Sequence, residues 1–126
     1  MQRQMLKSKI HRATVTDCDV DYVGSITIDT ELMAAADLLT NEQVHVWDID
    51  NGARLVTYVI DGEPGSGTIQ VNGAAAHLTK PGHRVIVASF GAYDESDLEA
   101  YSPVVVHVDD ANSAVAVDSN PEVLLS

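Results

Sequence analysis

The chain has 126 residues, enough for one domain with a single small core. Its 19 acids against 7 Lys and Arg give a net charge of -12, which argues against nucleic acid as a partner, because phosphate binding needs basic clusters. No apolar run approaches the roughly 18 residues of a membrane helix, the first residues lack a signal-peptide core, and Cys18 is the only cysteine, so a cytoplasmic protein without disulfides is expected.

Residues 6–16 are rich in alternating and β-branched side chains and predict the first strand. On it Lys9 and His11 are two apart and share a face. Residues 25–28 predict a second, short strand. Asp29 is placed to cap a helix through Asp37, with Glu31 in its first turn. Residues 43–49 alternate, with Val44, Val46 and Asp48 on one side and His45, Trp47 and Ile49 on the other. Asn51-Gly52 predicts a two-residue hairpin turn, and residues 53–60 return from it. Residues 68–71, 84–90, 103–108 and 114–117 complete the strands, with one helical turn at 74–78 and a short helix at 94–101. Trp47 and Phe90 are the only residues of their kinds, and Trp47 reads as the main aromatic of the core. Many short strands with few helices predict a mainly β, closed barrel over residues 1–117, because closure removes exposed edges. Residues 118–126 read as an acidic tail.

Charge is unevenly placed. Residues 91–126 carry eight acids and no Lys or Arg, whereas Arg3, Lys7, Lys9 and Arg12 lie in the first dozen residues. A local cationic pocket for an anionic ligand is one reading of this, and a solvated surface is the other. The five histidines show no metal-ligand spacing, so no metal is expected. Cys18 stands between two aspartates, which disfavour a thiolate. After a predicted strand, Asn72-Gly73-Ala74-Ala75-Ala76 leaves the backbone unshielded, so its amides can approach a ligand closely. At Gly24-Ser25 a serine hydroxyl follows a residue that permits unusual dihedrals; attack on the Gly24 carbonyl would turn the amide into an ester. Taken alone, a Gly-Ser pair is an ordinary turn, as Gly65-Ser66-Gly67 illustrates.

In combination these segments are more specific. Residues 5–13 (Met-Leu-Lys-Ser-Lys-Ile-His-Arg-Ala), Tyr22-Val23-Gly24-Ser25, Trp47 with Asn51-Gly52-Ala53-Arg54, Thr57-Tyr58, and Asn72-Gly73-Ala74-Ala75-Ala76-His77 stand in this order and spacing. The set resembles the aspartate 1-decarboxylase family over roughly residues 1–103. That resemblance implies a double-psi β-barrel with a few short helices, assembled as a homotetramer with active sites between subunits. It implies self-cleavage between Gly24 and Ser25, giving a short chain 1–24 and a long chain whose first residue is a pyruvoyl group derived from Ser25. Thr57 would assist the cleavage oxyanion, and Tyr58 would donate a proton. Lys9, His11, Trp47, Arg54, Thr57, Asn72, Gly73, Ala74 and Ala75 would form the substrate site, with Lys9 and Arg54 meeting carboxylates and residues 73–75 binding through the backbone.

The implied reaction converts L-aspartate to β-alanine and carbon dioxide, which feeds pantothenate and coenzyme A synthesis. A pyruvoyl ketone forms a Schiff base with the substrate amine and acts as an electron sink. A tyrosine phenol carries its proton at neutral pH and can return one to carbon. A processing helper protein is a further candidate partner. Thr57 and Tyr58 are adjacent, so a regular strand points them to opposite faces; either a bulge or a site at a subunit interface reconciles their roles. The alternatives are a non-catalytic barrel that binds a small acid or a partner chain, and an enzyme with Cys18 or another serine as nucleophile.

Overall fold

The structure is a computed structural model and describes residues 1–121. Strand β1 (Arg3–Thr14) is followed by β2 (Asp17–Asp19), β3 (Ser25–Asp29), helix α1 (Thr30–Ala35), β4 (Gln43–Asp48) and β5 (Arg54–Gly62). Then come β6 (Ile69–Asn72), a 3-10 turn (Gly73–His77), β7 (Arg84–Tyr93), helix α2 (Glu95–Leu98), β8 (Val104–Val108) and β9 (Ala114–Asp118). The strands form one mixed sheet in the order β2-β6-β3-β5-β4-β7-β1-β8-β9. Pairs β1/β8, β3/β5 and β2/β6 are parallel. Residues beyond 121, the end of the expected tail, lie outside the described part.

Side-chain hydrogen bonds draw distant strands together. Thr16, just past β1, donates its N–H to the Ile69 carbonyl at 2.8 Å, and its hydroxyl accepts from the Ile69 N–H at 3.0 Å. Asn112, in the β8–β9 turn, brackets the Thr14 backbone with two bonds of 2.8 Å and donates a third to the Gly67 carbonyl. These contacts curl the sheet so that Ile10, Ile26, Ile28, Val44, Val59, Val71 and Val87 meet in one core. Helix α1 covers that core with Leu32 and Met33. Asp29 caps α1 through the Glu31 N–H at 2.8 Å and also accepts from the Gly65 and Gly67 N–H groups. The chain is thus mainly β, with two short helices and a mixed sheet, as a double-psi β-barrel requires.

Several local expectations shift. The alternation of residues 43–49 holds, with Val44, Val46 and Asp48 buried. It places Trp47 outside, half-buried, so Trp47 is not the core aromatic, and the described core cluster holds no aromatic side chain. Short β2 was not expected from its acidic residues; it exists because it pairs with β6. Helix α1 stops before Asp37, which takes φ +53°. The turn after β4 is longer than two residues, since of Asn51 and Gly52 only Gly52 has positive φ. Its organiser is the Asp48 carboxylate, which accepts the N–H groups of Asp50 and Asn51 at 2.8 and 3.2 Å. The same carboxylate accepts from Thr79 Oγ1 and His83 Nδ1, both at 2.7 Å.

Burial pushes the Asp48 carboxyl up, but the bonds from His83, Thr79 and the turn backbone outweigh it and hold it below its ordinary value. The folded group is the stronger acid, so its contribution is present above the unfolded pKa near ~4 and is lost as pH falls through the lower folded value. Asp48→Ala should cost about 2–3 kcal/mol in urea unfolding at neutral pH, because it orphans buried donors. The difference from the parent should shrink in acid, and a difference unchanged across that range would contradict the role given to the carboxylate.

Candidate active site

Gly24 and Ser25 sit where the chain enters β3. Ser25 is only 1% exposed. Its hydroxyl donates to the Val23 carbonyl at 3.2 Å and accepts from Asn72 Nδ2 at 3.1 Å. Asn72 stands directly across from Ser25 on antiparallel β6. Its amide also donates to Thr27 Oγ1 at 3.0 Å, and Gln70 Nε2 holds its oxygen at 2.8 Å. Each atom of the Asn72 amide is therefore fixed, with one N–H donor group aimed at the Ser25 oxygen.

Asn72 also precedes the 3-10 turn, yet its side chain makes no capping bond there. The first N–H groups of the turn, in Gly73, Ala74 and Ala75, consequently lack a side-chain cap. Gly73 has φ +72°, and a Cβ on it would lie 2.6 Å from Gly24 Cα and 2.9 Å from Gly24 N. The Gly73 backbone is thus pressed against the Gly24-Ser25 junction at a distance that only glycine allows. Gly73→Ala should displace one of the two segments, lower the melting temperature by several degrees and slow any chemistry at the junction at least tenfold. Parent-like melting and parent-like processing in that variant would show the close approach to be unimportant.

Parallel pairing sets Ile26 of β3 level with Val59 of β5. Ser25 and Tyr58 each stand one residue before that first pair, at the start of the β3/β5 contact. Strand β5 pairs with β4 in unbroken register from Arg54 to Tyr58, so no bulge re-aims either side chain. Thr57 pairs with buried Val44 and faces inward. Tyr58 shares the outer face with Arg54 and exposed Val56.

The outer face continues across the sheet. Arg54 pairs with Trp47, and its guanidinium lies 5.1 Å from the Trp47 ring centroid, a cation–π contact. His45 and Phe90 adjoin Trp47, with Phe90 38% exposed. Lys9 pairs with Ala88, which pairs with His45. Burial lowers the Lys9 pKa, and the charge of Asp118 opposes this. His11 is 7% exposed and is pushed down to about 4, by burial and then by the charges of Lys9, His107 and Arg12. Neither ring nitrogen of His11 has a partner among the described residues. Ser25 on β3 and Lys9 on β1 are four strands apart in the sheet order. The candidate residues thus fall on two regions of the sheet: Ser25, Arg54, Thr57, Tyr58 and residues 72–75 on and around β3, β5 and β6, and Lys9 with His11 on β1.

A family model described as Aspartate decarboxylase matches residues 1–115. The chain belongs to the aspartate decarboxylase family. It is 61% identical over 121 residues to the Aspartate 1-decarboxylase of Mycolicibacterium smegmatis, which covers 96% of this chain and 89% of that protein. It is accordingly an enzyme, a carboxy-lyase of the aspartate decarboxylase kind. The family match spans Lys9, His11, Gly24, Ser25, Arg54, Tyr58 and residues 72–75 and stops inside β9.

Two groups escaped sequence reasoning. His107 lies beside His11 through parallel pairing of β1 with β8, and no local pattern announces a pairing across that separation. Asp48, Asp50 and His83 bring ligand-type atoms within 4.8 Å of one another. There the Asp48 oxygens already accept from protein donors, and Asp50 Oδ2 accepts the Arg84 N–H at 2.8 Å, so the cluster serves the turn.

Proposed function

We propose that the chain cleaves itself between Gly24 and Ser25 and then decarboxylates L-aspartate to β-alanine with a pyruvoyl group made from Ser25. The observation that carries this reading is the Gly24-Ser25 junction itself: a buried hydroxyl held by Asn72, with the Gly73 backbone pressed against the peptide to be cut. A pyruvoyl group fits the place, because the surroundings at residues 73–75 are small and present uncapped backbone amides. When formed, it supplies a ketone conjugated to a carbonyl, which withdraws the electron pair left as carbon dioxide departs.

The chain's own residues supply the rest. The Val23 carbonyl accepts a hydrogen bond from the Ser25 hydroxyl, and Asn72 fixes its oxygen for attack on the Gly24 carbonyl. Thr57, on the strand next to β3, assists the oxyanion. Arg54, held over Trp47, suits planar contact with a carboxylate, and Lys9 provides a second cation. Tyr58, at the start of the β3/β5 contact as Ser25 is, returns a proton to the carbon that lost its carboxylate. In this reading the chain assembles as a homotetramer in which the cations of one subunit face the junction of another. Thr57 and Tyr58 then serve two different faces without a bulge. The product would feed pantothenate and coenzyme A synthesis in the cytoplasm, and a helper protein for processing is a further partner in this reading. None of the helices of the described residues is long and apolar enough to cross a membrane.

The test is product analysis: purified protein incubated with L-aspartate should release carbon dioxide and β-alanine in equal amounts. A fully processed chain that forms no β-alanine would overturn the assignment.

A further inference from the structure

Strand β9 ends beside the row of Lys9, beyond the stretch that the family model matches. Strand β8 pairs with β1 so that Val105 stands beside Lys9 and His107 beside His11. Strand β9 pairs with β8 so that Asp118 stands beside Val105. Asp118 therefore lies in the Lys9 row, one strand further out. Its carboxylate accepts from His107 Nε2 at 3.0 Å. His107 is 2% exposed and meets His11 edge-on, with ring centroids 5.9 Å apart. Just past β9, the Pro121 carbonyl accepts from Lys9 Nζ at 3.1 Å.

Three buried nitrogens in this cluster, both of His11 and Nδ1 of His107, have no partner among the described residues. Buried polar atoms are nearly always paired, so such a group marks a place where a ligand completes the bonding. We propose that Asp118 and His107 are positioning residues that hold Lys9 and His11 ready for a substrate carboxylate. This rests on the reading of Lys9 as a carboxylate-binding residue. The Asp118 bond at Nε2 fixes the His107 ring plane, and that ring sets the orientation of His11. The Pro121 carbonyl takes one Lys9 N–H and leaves the others for the substrate.

Asp118 also sets the charge of Lys9. Among the described residues, the titratable groups around Lys9 are His11 and Arg12 on β1, His107 on β8, Asp118 on β9 and, past Ala88 of β7, His45 on β4. Only Asp118 among them is an anion. Its charge raises the Lys9 pKa against burial, so its loss moves Lys9 deprotonation to lower pH.

The experiment compares the processed enzymes Asp118→Asn, Asp118→Glu, His107→Gln and Lys9→Ala with the parent. Asp118→Asn should raise KM for L-aspartate about tenfold with kcat reduced less than twofold, and it should move the alkaline limb of kcat/KM to lower pH. Asp118→Glu should recover most of both effects. A KM that is unchanged or lower in Asp118→Asn, with the alkaline limb in place, would overturn the proposal; a lower KM would mean that Asp118 competes with substrate for Lys9. If Asp118→Asn fails to fold or process, His107→Gln carries the same KM test. If Lys9→Ala also leaves KM unchanged, the carboxylate-binding reading of Lys9 fails. If only Lys9→Ala raises it, the positioning role of Asp118 and His107 fails alone.

Discussion

Ser25→Ala is expected to remain one uncut chain and to show no decarboxylase activity at all. Alanine has no oxygen to attack the Gly24 carbonyl, so neither the ester nor the pyruvoyl group can arise. The fold should survive, because the change removes little volume from a strand. Asn72 loses only its bond to Ser25 Oγ and keeps its partners Thr27 and Gln70. A stability change near ~1 kcal/mol, the size of one neutral hydrogen bond, is expected. A denaturing gel and a β-alanine assay on the same preparation read both halves of the result. An Ser25→Ala protein that is cut after Gly24, or that turns over aspartate, would remove Ser25 from the mechanism.

Tyr58→Phe separates cleavage from turnover. The ring remains, so the outer face beside Ser25 keeps its shape, and Ser25, Asn72 and the inward-facing Thr57 are untouched. Processing should therefore be complete. What disappears is the phenol proposed as proton donor, which should lower kcat by about 10²–10⁴-fold, the range for loss of a positioned general acid. KM should change much less, since the phenol acts after the carboxylate has left. Steady-state kinetics on the processed variant decide the matter, and a kcat within twofold of the parent would exclude Tyr58 as the donor.

The parts of the fold that rest on short-range patterns were legible in the sequence. Alternation over residues 43–49 assigned Val44, Val46 and Asp48 to the interior, and Asp29 announced the start of α1 by its capping chemistry. Rarity misled where alternation did not: Trp47 is the sole tryptophan, yet its position in the strand turns it outward, where Arg54 covers it. Long-range pairings were invisible. Nothing near His11 says that His107 will lie beside it, because parallel neighbours are joined by long connections. The adjacency of Thr57 and Tyr58 posed a problem that sequence alone left with two answers. Unbroken β4/β5 register removes the bulge and leaves opposite faces. The roles of individual residues came from the resemblance, and the structure adds the contacts that make them chemically sensible at Ser25, Asn72 and Gly73.

The mass of the purified chains tests the central claim most directly. Active protein, denatured after full maturation, should give a fragment ending at Gly24 and a second fragment that begins at residue 25 with a pyruvoyl group in place of serine and resists amine-directed sequencing. A single intact chain of 126 residues that nevertheless converts L-aspartate to β-alanine would contradict it.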